Sequence, residues 1–372
     1  MEKDCLGVGL IGAGRIGRLH AQNLAHRIPQ ASLRALSDVN RKALESCAAE
    51  LAVPLVTDDY RAVLDAPDVR AVAICSSTDT HSQIIEEAAA AGKHIFCEKP
   101  IAVTVSQADV MVDAVNSSGV VFGVDYQMRA SEPVQNLRSL ILSGSMGKLH
   151  RVDMRYTSLR PEHYYRMGDW RGTWAGEGGG VTLNQGTHPI DVFQWIFGQP
   201  IELQAFAQTC MHDIGVEDSA SAMLRFQSGA GGYIHVSTCE YPDSFRFDIY
   251  CDKGRVVLED TKLRIGRFDI AITEKLNDKD NWRPSSLEWE ETETARIGWG
   301  NHDGMLDDFI QALIQNRPPL STAEDARRSL EITNAIILSS NKRKPVTFPI
   351  DRDEYDRLLA DLVRQEREEK KD

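Results

Sequence analysis

The sequence predicts an α/β fold in two parts: a doubly wound parallel sheet at the N-terminus, then an α+β domain carrying a mostly antiparallel sheet. Three observations lead there. Up to about Asp125, short apolar strands alternate with helical patterns. Beyond that point the segments lengthen and alternate with period two. The 372 residues, 42% hydrophobic and 26% charged, match roughly two ordinary globular domains.

The elements follow in order. Leu6–Ile11 is a short apolar strand that runs into Gly12-Ala13-Gly14-Arg15-Ile16-Gly17. A helical pattern through Leu19, Ala21, Leu24 and Ala25 ends at Pro29. Ala31–Ser37 is the second strand and Asn40–Leu51 a helix rich in Ala, Glu and Leu. Leu55–Thr57 is a brief strand, and Asp58 is placed to cap a short helix through Leu64. Ala71–Cys75 is a buried strand, followed by a helix from Ser82 to Ala91 with Gly92 as its C-cap. Ile95–Cys97 is a strand, Thr104–Ser117 a helix and Val120–Val124 the last strand of the series. Strands alternating with helices imply right-handed crossovers and a parallel sheet.

In the second part, Val152, Met154 and Tyr156 alternate with polar residues. So do the stretches Met223–Phe226, Gly232–Thr238, Phe245–Cys251 and Val256–Glu259. Ser228-Gly229 and Asp252-Lys253-Gly254 supply hairpin turns. Helices return at Asp303–Gln315 and Thr322–Leu338, the latter with a capping pattern at Ser321-Thr322 and Glu324-Asp325. The domain boundaries expected are 1–125, 126–350 and a charged helical tail at 351–372, which reads as a solvated helix or an oligomer contact.

Composition excludes several classes. No run of about 18 apolar residues occurs, so no membrane helix is expected. Met1-Glu2-Lys3-Asp4 lacks the form of a signal peptide. Seven cysteines without a CxxC pair suit reduced thiols in the cytoplasm. A net charge of −13 leaves no fold-wide basic footprint for nucleic acid. No pair of the ten histidines has metal-ligand spacing, so no metal is expected.

The glycine loop follows a strand, opens a helix and starts a βαβ unit, the context in which GxGxxG binds a dinucleotide. Gly12 permits the tight turn, Gly14 lets the backbone approach a pyrophosphate, and Gly17 allows helix and strand to pack closely. The helix start at Arg15 and Ile16 offers N–H donors and positive dipole to the phosphates. Asp38 ends the second strand, where a carboxylate accepts hydrogen bonds from the ribose hydroxyls of NAD and repels the extra phosphate of NADP. Arg41 nearby pulls the other way, so NAD is favoured over NADP without being the only fit.

Two further stretches carry candidate chemistry. Glu98-Lys99-Pro100 follows a strand at the carboxyl edge of the sheet, where ligands bind in open α/β folds. Lys99 there can donate to an alcohol or alkoxide oxygen, and Glu98 would favour its charged form. A solvated surface lysine fits the spacing equally well. The run Gly178-Gly179-Gly180 allows backbone to lie against a ligand or another segment. Pro189 suits a helix start, and His188 beside it can take a hydroxyl proton or simply cap. His81 reads as a cap for the helix near Ser82. Arg160, Tyr164, Tyr165, Trp170 and Arg171 form a polar–aromatic cluster suited to sugar hydroxyls and faces, or to ordinary packing. Tyr126, Gln127 and Arg129 leave the last strand where a cofactor would lie.

Together these stretches resemble the glucose–fructose oxidoreductase, inositol dehydrogenase and MocA (Gfo/Idh/MocA) family. The resemblance covers nearly the whole chain. It rests on GAGRIG at Gly12–Gly17, the Asp38 strand end, SSTDTH at Ser76–His81, CEKP at Cys97–Pro100, WRGTW at Trp170–Trp174 and EGGGVTLNQGTHPIDVFQW at Glu177–Trp195. The segments His302–Phe309 and Ser321–Arg327 also match. It implies a Rossmann domain that holds a nicotinamide dinucleotide through the glycine loop, Ser76, Ser77, Thr78, His81, Glu98, Lys99 and Gln127. It also implies a large open sheet that roofs the substrate and mediates homodimer or homotetramer assembly. Lys99 and His188 become catalytic, with Asn184, Arg160, Tyr164, Trp170 and Asp191 on the substrate side. The substrate class implied is a sugar, glycoside or cyclitol. Many members have aspartate where this chain has Asn184, four residues before the histidine. An amide orients an imidazole without stabilising its charged form, so Asn184→Asp is expected to move the acidic limb of a pH–rate profile upward. Two other functions fit the motifs: redox-neutral glycoside cleavage around a tightly held NAD, and a non-catalytic dinucleotide sensor.

Overall fold

The structure is a computed structural model that describes residues 5–279, 285–294 and 302–369. The chain divides into two compact units, residues 1–130 with 299–330, and residues 131–298 with 331–372.

The first unit begins with β1 (Leu6–Ile11), α1 (Arg15–His26), β2 (Ala31–Ser37), α2 (Arg41–Ala48), β3 (Leu55–Thr57) and α3 (Tyr60–Asp65). It continues through β4 (Ala71–Ile74), α4 (Thr78–Ala90), β5 (His94–Cys97), α5 (Val105–Ser118) and β6 (Phe122–Val124). The six strands are parallel in the order β3-β2-β1-β4-β5-β6, the doubly wound arrangement that reverses direction between β1 and β4. Local chemistry sets the helix starts. The Asn40 side chain accepts from the Ala43 amide, and Thr104 with Gln107 forms a reciprocal capping box at α5. At α3 the cap is Asp59, accepting from Arg61, rather than the expected Asp58. The helix after β4 starts at Thr78, four residues earlier than its apolar pattern suggested, because its first turn is polar in sequence.

The second unit contains α6 (Glu132–Leu142), β7 (Leu149–Thr157), α7 (Glu162–Tyr165), α8 (Thr187–Phe197), β8 (Glu202–Gln208), β9 (Ser219–Arg225), β10 (Gly231–Ser237), β11 (Ser244–Cys251), β12 (Gly254–Glu259), β13 (Lys262–Phe268), α9 (Ile272–Lys275) and β14 (Leu287–Glu293). Its nine-stranded sheet runs β14-β13-β12-β11-β7-β10-β9-β8 and ends on the short strand β15 (Val346–Thr347), antiparallel except where β7 meets β10. The inner face is apolar by alternation, as in β11, and Phe193 of α8 stacks on Phe226 and Phe247. Phe206 and Met223 on the opposite face are about 70% exposed.

The chain then returns to the first unit with α10 (His302–Gln315), whose Met305, Leu306, Phe309 and Ile310 complete that unit's core. This corrects the expected division at residue 125: contacts between apolar side chains, not chain order, decide membership. The division falls again within α11 (Ala323–Lys342), after which β15 (Val346–Thr347) pairs with β8. The charged tail is helical as expected: α12 (Arg352–Glu369) belongs to the second unit, with Tyr355 and Glu366 buried.

Candidate active site

The glycine loop is built as its spacing predicts. Gly12 has φ +98°, and its amide donates to the Ser37 carbonyl at 2.7 Å. A Cβ at Gly17 would lie 1.8 Å from the Gly12 carbonyl oxygen, so only glycine lets α1 start this close to the turn. Gly14 is the N-cap of α1, has no side-chain cap and faces open space. The first-turn amides, those of Arg15 and Ile16 among them, are left for an anion. Asp38 accepts from the Ala13 amide with one oxygen and from the Asn40 amide with the other, both at 2.6 Å. The carboxylate is thus fixed beside the loop at the end of β2. Arg41 is turned to Asp58 at 3.4 Å. These residues fit a nicotinamide dinucleotide with free ribose hydroxyls: an open helix start, a close-approach glycine and a fixed acceptor.

Ser76, Ser77 and Thr78 form the turn from β4 into α4, with Ser77 as N-cap. His81 is fully buried within the first turn of α4 and does not cap it. Its Nε2 lies 3.2 Å from the Ser76 carbonyl, while Nδ1 faces the Pro100 and Ile101 carbonyls at 3.2 and 3.3 Å. Burial holds its pKa below the ordinary histidine value. A buried neutral ring between two backbone segments is a clamp; it ties the chain after Lys99 to the Ser76 turn.

Lys99 is half-buried immediately after β5, at the carboxyl edge of the sheet. Glu98 is buried and directed inward. One oxygen accepts the Lys99 main-chain N–H at 3.2 Å, and the other meets His20 Nε2 at 2.9 Å. His20 also lies 3.3 Å from Asp125 Oδ2, and His302 Nδ1 lies 2.5 Å from the same oxygen. All four groups are buried. Burial pushes the His20 pKa down, but hydrogen bonds to Asp125 and Glu98 outweigh it and raise it to about 10. The histidines hold Asp125 well below the usual carboxylate range despite its burial.

Sequence spacing missed this quartet because its members come from α1, two strand ends and α10. The available signal was that Glu98 and Asp125 both directly follow apolar strands. His212, Asp218 and Cys239 form a second His-containing cluster in the other unit. Histidine spacing along the chain could reveal neither group. At its shortest separations the quartet is a set of mutual hydrogen-bond partners.

Gln127 and Arg129 lie in a single 3₁₀ turn after β6, both buried. Arg129 is spent on structure, donating to the Leu320 carbonyl at 2.9 Å and to Asp325 at 3.1 Å.

In the second unit, Tyr164 gathers the polar–aromatic cluster. Its hydroxyl oxygen receives Arg171 at 2.7 Å, Gln185 at 2.9 Å and Asn184 at 3.1 Å. The Arg171 guanidinium stacks on the Tyr164 and Trp170 rings, 4.5 and 4.3 Å from their centroids. Arg160 lies 5.5 Å from the Tyr164 ring and donates to Ser158. Trp170 is half-exposed, while Tyr165 is buried with its hydroxyl on Thr238. Asn184 also donates to Glu177 at 2.5 Å, and the other Glu177 oxygen accepts from the Gly172 amide at 2.6 Å. A carboxylate therefore stands beside position 184, supplied by Glu177.

The triple glycine lies against another segment: a Cβ at Gly180 would meet the Glu217 carbonyl oxygen at 1.8 Å. The buried Glu217 side chain accepts from the Gly180 and Thr182 amides. His188 and Asp191 lie in the first turns of α8, both buried.

The N-terminal region, residues 6–126, matches the oxidoreductase family model described as an NAD-binding Rossmann fold. Residues 134–257 match the GFO/IDH/MocA C-terminal domain. An inositol 2-dehydrogenase of Rhizobium meliloti is 30% identical over 348 residues, covering 91% of this chain and 98% of its own. The chain belongs to the Gfo/Idh/MocA family. A myo-inositol 2-dehydrogenase of Thermotoga maritima is 29% identical, covering 91% of this chain and 97% of its own. Among solved structures, the WlbA dehydrogenase of Bordetella pertussis in complex with NADH and UDP-GlcNAcA superposes with a TM-score of 0.78. It is 26% identical and covers 93% of this chain and 100% of its own. As a Gfo/Idh/MocA protein, this chain is an NAD-binding oxidoreductase, and the matched region contains the glycine loop and Asp38. Among the described residues no helix is long and apolar enough to cross a membrane.

Proposed function

We propose that the protein oxidises a secondary alcohol of a cyclitol, sugar or glycoside, with an inositol as the leading substrate class. The observation that carries this reading is the likeness to inositol dehydrogenases along nine-tenths of the chain. NAD, when bound, supplies the hydride acceptor. The α1 start and Asp38 hold its phosphates and ribose. Lys99 donates from Nζ to the substrate oxygen and stabilises negative charge as the proton leaves. His188 takes that proton at a ring nitrogen. Its burial keeps the imidazole from bulk water. Tyr164, Arg171 and Trp170 offer a stacked polar surface for ring hydroxyls, with Asn184 and Asp191 alongside. Ser76–Thr78, Glu98 and Gln127 border the nicotinamide side, and His81 holds that border in place.

The protein also assembles as a homodimer or homotetramer in this reading, through the outer sheet face where Phe206, Met223 and Tyr233 are exposed. Sedimentation of wild type against Met223→Glu tests it; a monomeric wild type overturns it. For the reaction, the purified protein is given NAD or NADP with a panel of inositols, free sugars and glycosides. NADH formation with one of them supports the dehydrogenase. Aglycone release without net NADH points instead to redox-neutral cleavage, and dinucleotide binding with neither reaction to a sensor.

A further inference from the structure

Three glutamates hold the loop between residues 172 and 184 by its backbone amides. Glu177 takes the Gly172 amide and Glu217 those of Gly180 and Thr182. The third comes from almost 200 residues away. Glu366, in the last turn of α12, accepts from the Trp174 amide with Oε1 and from the Ala175 amide with Oε2, each at 3.1 Å. Its side chain is buried, with the residue only 6% exposed in a helix whose other charged residues are exposed or half-buried. Gly215 is shaped to it: a Cβ there would meet Glu366 Oε1 at 2.6 Å. The Gly215 amide donates in turn to the Gly172 carbonyl at 2.9 Å. At its other end α12 is anchored by buried Tyr355 and by Arg352, which pairs with Glu331.

A charge costs free energy to bury, and α12 has exposed positions enough for every glutamate it carries. A carboxylate drawn out of water to satisfy two adjacent amides is therefore placed to fix those amides. It reaches them only because about 21 Å of helix lies between Arg352 and Glu366.

We propose that α12 is a strap and that Glu366 is a positioning residue. Its carboxylate fixes the Trp174–Ala175 backbone and with it the loop that presents Arg171, Glu177 and Asn184. That these side chains serve substrate rests on the function proposed above; the strap itself does not. Removing Glu366 loosens the loop, raises the KM for the polyol substrate several-fold and leaves dinucleotide affinity unchanged.

The test compares wild type, Glu366→Gln and Glu366→Ala in the full chain. Hydrogen–deuterium exchange is read over residues 172–184, NADH affinity by fluorescence, and KM and kcat separately on the panel substrate. Exchange at the Trp174 and Ala175 amides should rise at least tenfold in Glu366→Ala and less in Glu366→Gln, which keeps one acceptor oxygen. Unchanged exchange in both variants overturns the strap, whatever the activity. Faster exchange throughout the second unit in both variants also overturns it, since Glu366 would then be a general stabiliser. Should wild type turn over no polyol, the proposed function fails while the exchange result still decides the strap.

Discussion

Asn184→Asp is the substitution for which sequence and structure give different expectations. From sequence alone, the new carboxylate would raise the pKa of His188. In the structure, the Asn184 amide nitrogen is 2.5 Å from Glu177 Oε1, so a carboxylate at 184 meets Glu177 first. Two ionised carboxylates about 3 Å apart repel by about 5 kcal/mol at an effective dielectric of 20. The pair escapes by binding a proton, which for an ordinary carboxyl costs about 4 kcal/mol at pH 7 and about 1.4 at pH 5. Both side chains are half-buried, and screening reduces the net loss to about 2 kcal/mol at pH 7. The variant's folded state binds more protons than its unfolded state, so stability falls as pH rises. Thermal unfolding followed by circular dichroism should show a Tm about 5 °C below wild type at pH 7.5, and a gap under about 2 °C at pH 5. An equal gap at both pH values, or a more stable variant, refutes the reasoning. A shifted acidic limb with unchanged stability would show that position 184 acts on His188 directly.

Three other perturbations have defined outcomes. Asp38→Ala removes the acceptor for the Ala13 and Asn40 amides as well as for ribose; the KM for NAD should rise about 10- to 100-fold and preference over NADP should shrink, read from initial rates. Gly17→Ala forces a methyl into the Gly12 carbonyl and should cost about 1–3 kcal/mol with loss of dinucleotide binding, checked by urea unfolding and NADH fluorescence titration. Asp125→Asn leaves His20 with one carboxylate and should cost about 3–5 kcal/mol near pH 6. Since His20 titrates near 10 in the fold and near 6.5 unfolded, its share is complete below pH 6.5 and fades toward pH 10. The penalty measured by urea unfolding should therefore narrow at pH 9.5.

What the sequence made legible follows from the range of the forces involved. The parallel sheet was readable because each strand and its helix are local and because the glycine turn has one steric solution. Strands β9 to β12 were readable from alternation and from turns at Gly229 and Gly254. Strands β13 and β14 were not: Lys262–Phe268 and Leu287–Glu293 carry charge along partly exposed stretches, so no clean alternation marks them. Helix α10 was placed in the wrong unit because only long-range packing of Met305 and Phe309 shows where it belongs. The motif residues Lys99, Asn184 and His188 stood out by composition and resemblance. Their supports, His20, Asp125, His302, Glu217 and Glu366, did not, because a buried carboxylate is recognisable only from the amides or imidazoles that surround it. The tail looked solvated because Glu366 is one buried charge among many exposed ones.

The most direct measurement is the fate of the substrate's ring hydrogen. An inositol deuterated at its ring carbons is incubated with NAD and the protein, and the reduced dinucleotide is analysed by mass spectrometry. One deuterium per NADH in wild type, with turnover falling by about 100-fold or more in Lys99→Ala and in His188→Ala while NADH still binds, is the expected result. Bound dinucleotide that never acquires deuterium from any polyol, or Lys99→Ala and His188→Ala variants that turn over like wild type, would contradict it.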